Sequence, residues 1–257
     1  KVSLPFLSRK KAEFGVGIAR MEDRYFQTNI IDFSETKHDE STYSIFGGSI
    51  VLEGSTLNAR QFATQGSREK MAAQIFTGTE HFRSGISKVT KGTPEPYKKV
   101  QSWLQVSYQN ETYHKVSPKF TLGAYLEAYY SSRNFSNNYT ATLMQAGEFT
   151  PTAHSKVTYN EAFRANQYAG VGTMPIYQLS ESFQLRGEFY GFIPIFPIKK
   201  DEYGQAYYGK AFTKFEYLGE ISLVFQLSFG SISAYVNHYS SPSNDWNVGL
   251  TLGWQLF

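Results

Sequence analysis

Between Gly219 and Gly230 the chain alternates without a break. Ile221, Leu223, Phe225, Leu227 and Phe229 fall on one face, and Glu220, Ser222, Val224, Gln226 and Ser228 on the other. A period of two belongs to a β-strand, because successive side chains point to opposite sides of the pleat. The same pattern recurs along the chain, over Ala12–Arg20, Leu104–Gln109, Phe120–Tyr130, Phe183–Ile195 and Trp246–Leu256. In Phe183–Ile195, for instance, Phe183, Leu185, Phe189, Ile193 and Ile195 oppose Gln184, Arg186, Glu188 and Tyr190. Weaker alternation predicts further strands at Tyr25–Phe33, Tyr43–Leu57, Lys70–Gly78, Ala141–Glu148, Tyr168–Leu179, Tyr208–Tyr217 and Ser231–Tyr239. Short breaks at Ser180–Ser182 and Phe229–Ser231 alternate with longer polar ones, such as Arg83–Lys99 and Thr150–Ala165. The reading is one all-β domain of about eleven to thirteen strands, most near ten residues long.

Alternation of this kind arises in two settings. In a soluble sandwich or barrel the apolar face packs inward. In an outer-membrane barrel it faces lipid, and the polar face lines the lumen. Strand length favours the second, since a tilted spanning strand needs about 9–11 residues and globular strands commonly have about 5–6. Small residues on the polar faces, Gly15, Gly17, Gly123, Gly249 and Gly253, leave no second layer for a sandwich. The expected fold is therefore an antiparallel transmembrane β-barrel, with a soluble sandwich as the alternative. Composition agrees: 21 Phe and 19 Tyr stand beside only 18% charged residues, too aromatic for a disordered chain. The longest near-continuous apolar run, Phe189–Ile198, is broken by Pro194 and Pro197, so no transmembrane helix is expected. The net charge of +3 is scattered, which argues against nucleic-acid binding. Cysteine is absent, so thiolate metal sites, disulfides and cysteine nucleophiles are excluded.

Catalytic motifs are missing. There is no G-x-S-x-G elbow, no H-E-x-x-H, no EF-hand loop and no phosphate loop, so no catalytic residue, cofactor or metal is assigned. The five histidines are scattered. Ser233 and His238, the one serine–histidine pairing weighed, fall on opposite faces of one strand. The charged residues on polar faces, Glu127, Arg186, Glu188 and Glu220, are more informative. A shielded arginine–carboxylate pair there could hold an inserted loop, and Arg164, after the long Thr150–Asn160 loop, is the natural arginine. The chain ends on Phe257, the aromatic terminus that serves bacterial outer-membrane barrels as an assembly signal, although it is out of phase with Trp254, Leu252 and Leu250.

Several segments carry a resemblance. Asn58–Ser67 is similar to the aromatic–Pro–Thr–x–Gly turn of the sixteen-stranded Omp85 superfamily, with Ala63 where proline is usual. Phe149–Ser155, Phe163–Asn166 and Leu185–Tyr190 together resemble the C-terminal barrel of bacterial patatin-like phospholipases. In that family a periplasmic patatin domain and a small POTRA-type domain precede an Omp85-like barrel. The resemblance implies that these residues are the C-terminal strands of such a barrel, with earlier strands upstream of Lys1. It also implies that Arg164 lies on the loop folded into the barrel, with Glu188 as its acidic partner. Here the loop reads Phe-Arg-Ala-Asn in place of the family's Arg-Gly-aromatic.

The function expected is a bacterial outer-membrane anchor or translocation domain for a patatin-like lipid acyl hydrolase whose catalytic domain lies upstream. Its expected partners are outer-membrane lipid and lipopolysaccharide, the outer-membrane assembly machinery, and a second copy in a homodimer. A small porin of about twelve strands and an Omp85-type protein translocator are the alternatives.

Overall fold

The computed structural model describes residues 1–5, 9–26, 38–85, 97–241 and 246–254. The alternating segments form strands β1 (Val2–Pro5), β2 (Lys10–Tyr25), β3 (Asp39–Ser55), β4 (Gly66–Arg83), β5 (Tyr97–Ser117) and β6 (Phe120–Ser131). After an insertion come β9 (Gln167–Gln178), β10 (Phe183–Pro194), β13 (Glu216–Leu227), β14 (Gly230–Tyr239) and β15 (Trp246–Trp254). These make an 11-stranded sheet in the order β1-β2-β3-β4-β5-β6-β9-β10-β13-β14-β15, every pairing antiparallel. Among the described residues, β1 and β15 are its edges. No helix among them is long and apolar enough to cross a membrane.

The sheet is inside out. Along β10, Gln184 and Arg186 are 0% and 3% exposed, whereas Leu185 and Phe189 are 43% and 48% exposed. The same inversion runs across β13, where Glu220, Ser222 and Val224 are buried and Ile221, Leu223 and Phe225 exposed. On β15, Trp246, Val248, Leu250, Leu252 and Trp254 all point outward. The sheet curls around the insertion between β6 and β9. That segment hydrogen-bonds Tyr25 on β2 and Glu220 on β13, strands at opposite flanks of the sheet order.

Two expected strands are replaced by other structure. Ala141–Glu148 falls mainly in a helix, α1 (Tyr139–Gln145), followed by the two-residue β7 (Gly147–Glu148), which pairs with β8 (Arg164–Ala165). The Asn138 side chain accepts from Ala141 N and so caps the first turn. Tyr208–Tyr217 is largely irregular: a small hairpin pairs β11 (Ile198–Lys200) with β12 (Ala206–Tyr208), and the chain then turns through Phe212 at positive φ to reach β13. Most of Tyr25–Phe33, together with Phe257, lies outside the described residues. Strands β2 to β5 are 16 to 21 residues long, well above ten. Their ends carry polar residues on both faces, as in Gln109–Lys115, so alternation fades there while backbone pairing continues.

Candidate functional site: the filled interior

Three groups of side chains occupy the concave side of the sheet. The first surrounds Arg186. Its Nε pairs with Glu188, Nη1 donates to Ala63 O at 2.9 Å, and Nη2 donates to the Tyr113 hydroxyl at 2.7 Å. Tyr190 donates to the other Glu188 oxygen at 2.9 Å. Ala63 belongs to the turn between β3 and β4, which folds inward onto β10, β13 and β14. Gln184 and Gln226 donate to Phe62 O, and Ser231 donates to Gln61. That turn is built locally by the Asn58 carboxamide oxygen, which accepts from Thr64 N and Gln65 N. Gly66 allows it to end: φ is +94° there, and a Cβ would lie 2.2 Å from Thr56 O.

The second group docks the insertion. Phe149 packs against Tyr125, Tyr168, Tyr190 and Phe192, with ring centroids 5.5 to 6.4 Å away. Three residues on, Thr152 donates to Glu220 at 3.2 Å, and His154 Nδ1 lies 2.6 Å from the same carboxylate. Asn237 adds a bond to Glu220 at 3.4 Å. Tyr235 stacks flat on the imidazole at 3.6 Å, and His154 Nε2 lies 3.5 Å from Ser233 Oγ. The atom order carboxylate–imidazole–hydroxyl is that of a serine hydrolase relay. Yet all three residues are buried, Ser233 to 1% exposure, and Tyr235 covers one imidazole face. A substrate carbonyl has no approach to Oγ, so the arrangement acts as a clasp for the insertion.

The third group centres on Arg133, just past β6. Its guanidinium lies 5.1 Å from the Tyr43 ring centroid and 4.6 Å from that of Trp103, and donates to Gln145 at 2.7 Å. Burial holds Arg133 below its ordinary pKa, opposed by the nearby Tyr43 and Glu80. Asn138 donates to Tyr25, and Lys99 donates to Phe135 O, so the insertion is also tied to β2 and β5.

The expected pairing of Arg164 with Glu188 does not form. Arg164 bridges Glu148 at 2.8 Å, caps the end of α1 through Leu143 O and Met144 O, and lies 4.5 Å from the Tyr159 ring centroid. Glu188 is taken by Arg186, two residues away on its own strand face. Arg164 thus holds the insertion to itself, while His154 and Thr152 hold it to the sheet. Sequence reasoning missed His154 because its partners Glu220 and Ser233 are 66 and 79 residues away. It did place Ser233 and His238 on opposite faces; Ser233 is buried and His238 is only partly so. Among the described residues no group of three histidines or carboxylates is disposed to hold a metal. No protein-family model matches the chain, and no curated protein matches it either.

Proposed function

We propose that this chain is an outer-membrane β-barrel whose outward face lies in lipid and whose filled interior makes it an anchor and not an open channel. The inverted sheet carries this reading: buried Arg186, Glu188 and Glu220 back onto an outer surface of leucine, isoleucine, valine and phenylalanine. In water such a surface would far exceed the apolar patches that monomers expose; in hydrocarbon it is the required one. On β15 the outward face begins and ends in Trp246 and Trp254 with aliphatic residues between. Eight residue steps at about 3.3 Å, tilted about 40°, give a belt about 20 Å tall, near the apolar band of such barrels. Ion pairs bound the belt on the long strands: Lys10–Glu69 on one side, Arg83–Glu40 and Arg24–Glu22 on the other.

The finer reading is that the barrel closes with further strands and anchors a patatin-like lipid acyl hydrolase whose catalytic domain lies upstream. Its support is the resemblance of Phe149–Ser155, Phe163–Asn166 and Leu185–Tyr190. The inward-folded turn at Asn58–Ser67 and the docked insertion are consistent with that resemblance. Membrane fractions from cells test the location: the protein should resist carbonate extraction and leave only with detergent. Phospholipid hydrolysis by the full-length product, lost when an upstream G-x-S-x-G serine is replaced, tests the anchored activity.

A further inference from the structure

The outward face carries more than one recess, and the one walled by four aromatic side chains lies toward the β15 end of the strand order. Where β9, β10, β13 and β14 meet, a recess of about 560 Å³ opens on the apolar side. Gly191 and Gly219 form its floor, and Phe189, Phe215, Tyr217 and Trp246 stand around it. The glycines make the recess: at Gly191 a Cβ would come within 2.9 Å of Phe215, and at Gly219 a Cβ would meet only Phe189, at an ordinary 3.6 Å. An imidazole stands at its end. His238 is stacked with Tyr217 at 5.9 Å and lies 4.9 Å from Trp246. His238 pairs in register with Trp246, the first residue of β15, so it sits at the margin of the belt.

From this geometry we infer a lipid-binding site that takes one acyl chain of a bilayer phospholipid, with an ester or phosphate oxygen of the head accepting a hydrogen bond from His238. The inference rests on the membrane reading above. An amphiphile suits the recess because its wall is largely hydrocarbon and aromatic and an imidazole stands at the belt margin, able to donate to a polar head. The recess is continuous with a face whose surroundings, on that reading, are acyl chains. An aromatic-walled slot therefore retains one chain against exchange with its neighbours.

The test uses the tryptophans already present. Two variants, Trp254→Phe and Trp246→Phe, leave Trp246 or Trp254 as the single outward reporter, with interior Trp103 common to both. Each is reconstituted in phosphatidylethanolamine vesicles containing a small fraction of chain-brominated phosphatidylethanolamine, which quenches indole on contact. The expected result is stronger quenching of Trp246 than of Trp254. That excess should be lost when Gly219→Leu or Val236→Phe fills the recess, and kept with Ala234→Leu, outward on β14 but outside it. Equal quenching of both reporters, or an excess that survives both filling variants, overturns the site. A Trp246 shielded from bromine in a dimeric protein also overturns it and assigns the recess to a second copy. Quenching of neither reporter overturns the membrane reading beneath it.

Discussion

Arg186 and Glu188 show how one charged pair can fix the interior. Both are almost wholly buried, and the arginine's donors go to Glu188, to Ala63 O in the inward turn and to Tyr113. Replacing Arg186 by Met leaves the Glu188 charge buried without its cation, a loss of about 3–5 kcal/mol. The expected outcome is a lower unfolding temperature in detergent, partly restored by the double replacement Arg186→Met with Glu188→Gln. Arg186 and Glu188 are legible as interior residues from alternation alone, since Leu185, Gly187 and Phe189, which alternate with them, face out. Their pairing with each other is not. A two-residue spacing on one strand face offers no distinctive pattern, and the long loop before Arg164 points to that arginine instead, whose contacts are with Glu148 and the end of α1.

The insertion between β6 and β9 is the element that decides whether the interior conducts. It is tied at both flanks of the sheet, through Asn138 to Tyr25 and through His154 and Thr152 to Glu220. His154→Ala removes the shortest of these bonds and leaves Glu220 with weaker partners, at a cost of about 1–3 kcal/mol. Faster amide exchange over Thr150–Ala165, with the sheet unchanged, is the expected outcome in deuterium-exchange mass spectrometry. Replacing residues 134–163 by a short Gly-Ser linker should convert a silent protein into a conducting one in planar bilayers. If the intact protein already conducts steadily, the interior is not the plug described. Sequence gave this element away least. Ala141–Glu148 alternates like a strand, but the Asn138 cap starts a helix that a seven-residue window of mixed polarity does not advertise. Its docking contacts span tens of residues, beyond any local pattern.

For the whole molecule the governing fact is the inversion of the sheet, and this was the most legible part. Alternation is local and repeats on every strand, so the faces of Phe120–Tyr130, Phe183–Ile195 and Gly219–Gly230 could be assigned before any pairing was known. What alternation leaves open is which face packs inward, and the buried charges show that it is the polar one, folded around an ordered insertion. An arginine in mid-belt should therefore be costly in lipid. Leu250→Arg is expected to destabilise by about 2–4 kcal/mol in bilayers. At Trp246, on the belt margin, the same change should cost about 0–1 kcal/mol.

The absence of native cysteine makes the central claim directly measurable. Single cysteines placed in turn at residues 219 to 225 of β13, spin-labelled and reconstituted in lipid vesicles, report contact with oxygen in hydrocarbon and with a nickel chelate in water. Labels at Gly219, Ile221, Leu223 and Phe225 should show high oxygen and low chelate collision rates. Labels at Glu220, Ser222 and Val224 should be shielded from oxygen. Strong chelate collisions at Ile221 and Leu223 would place the apolar face in water and contradict the membrane-embedded barrel.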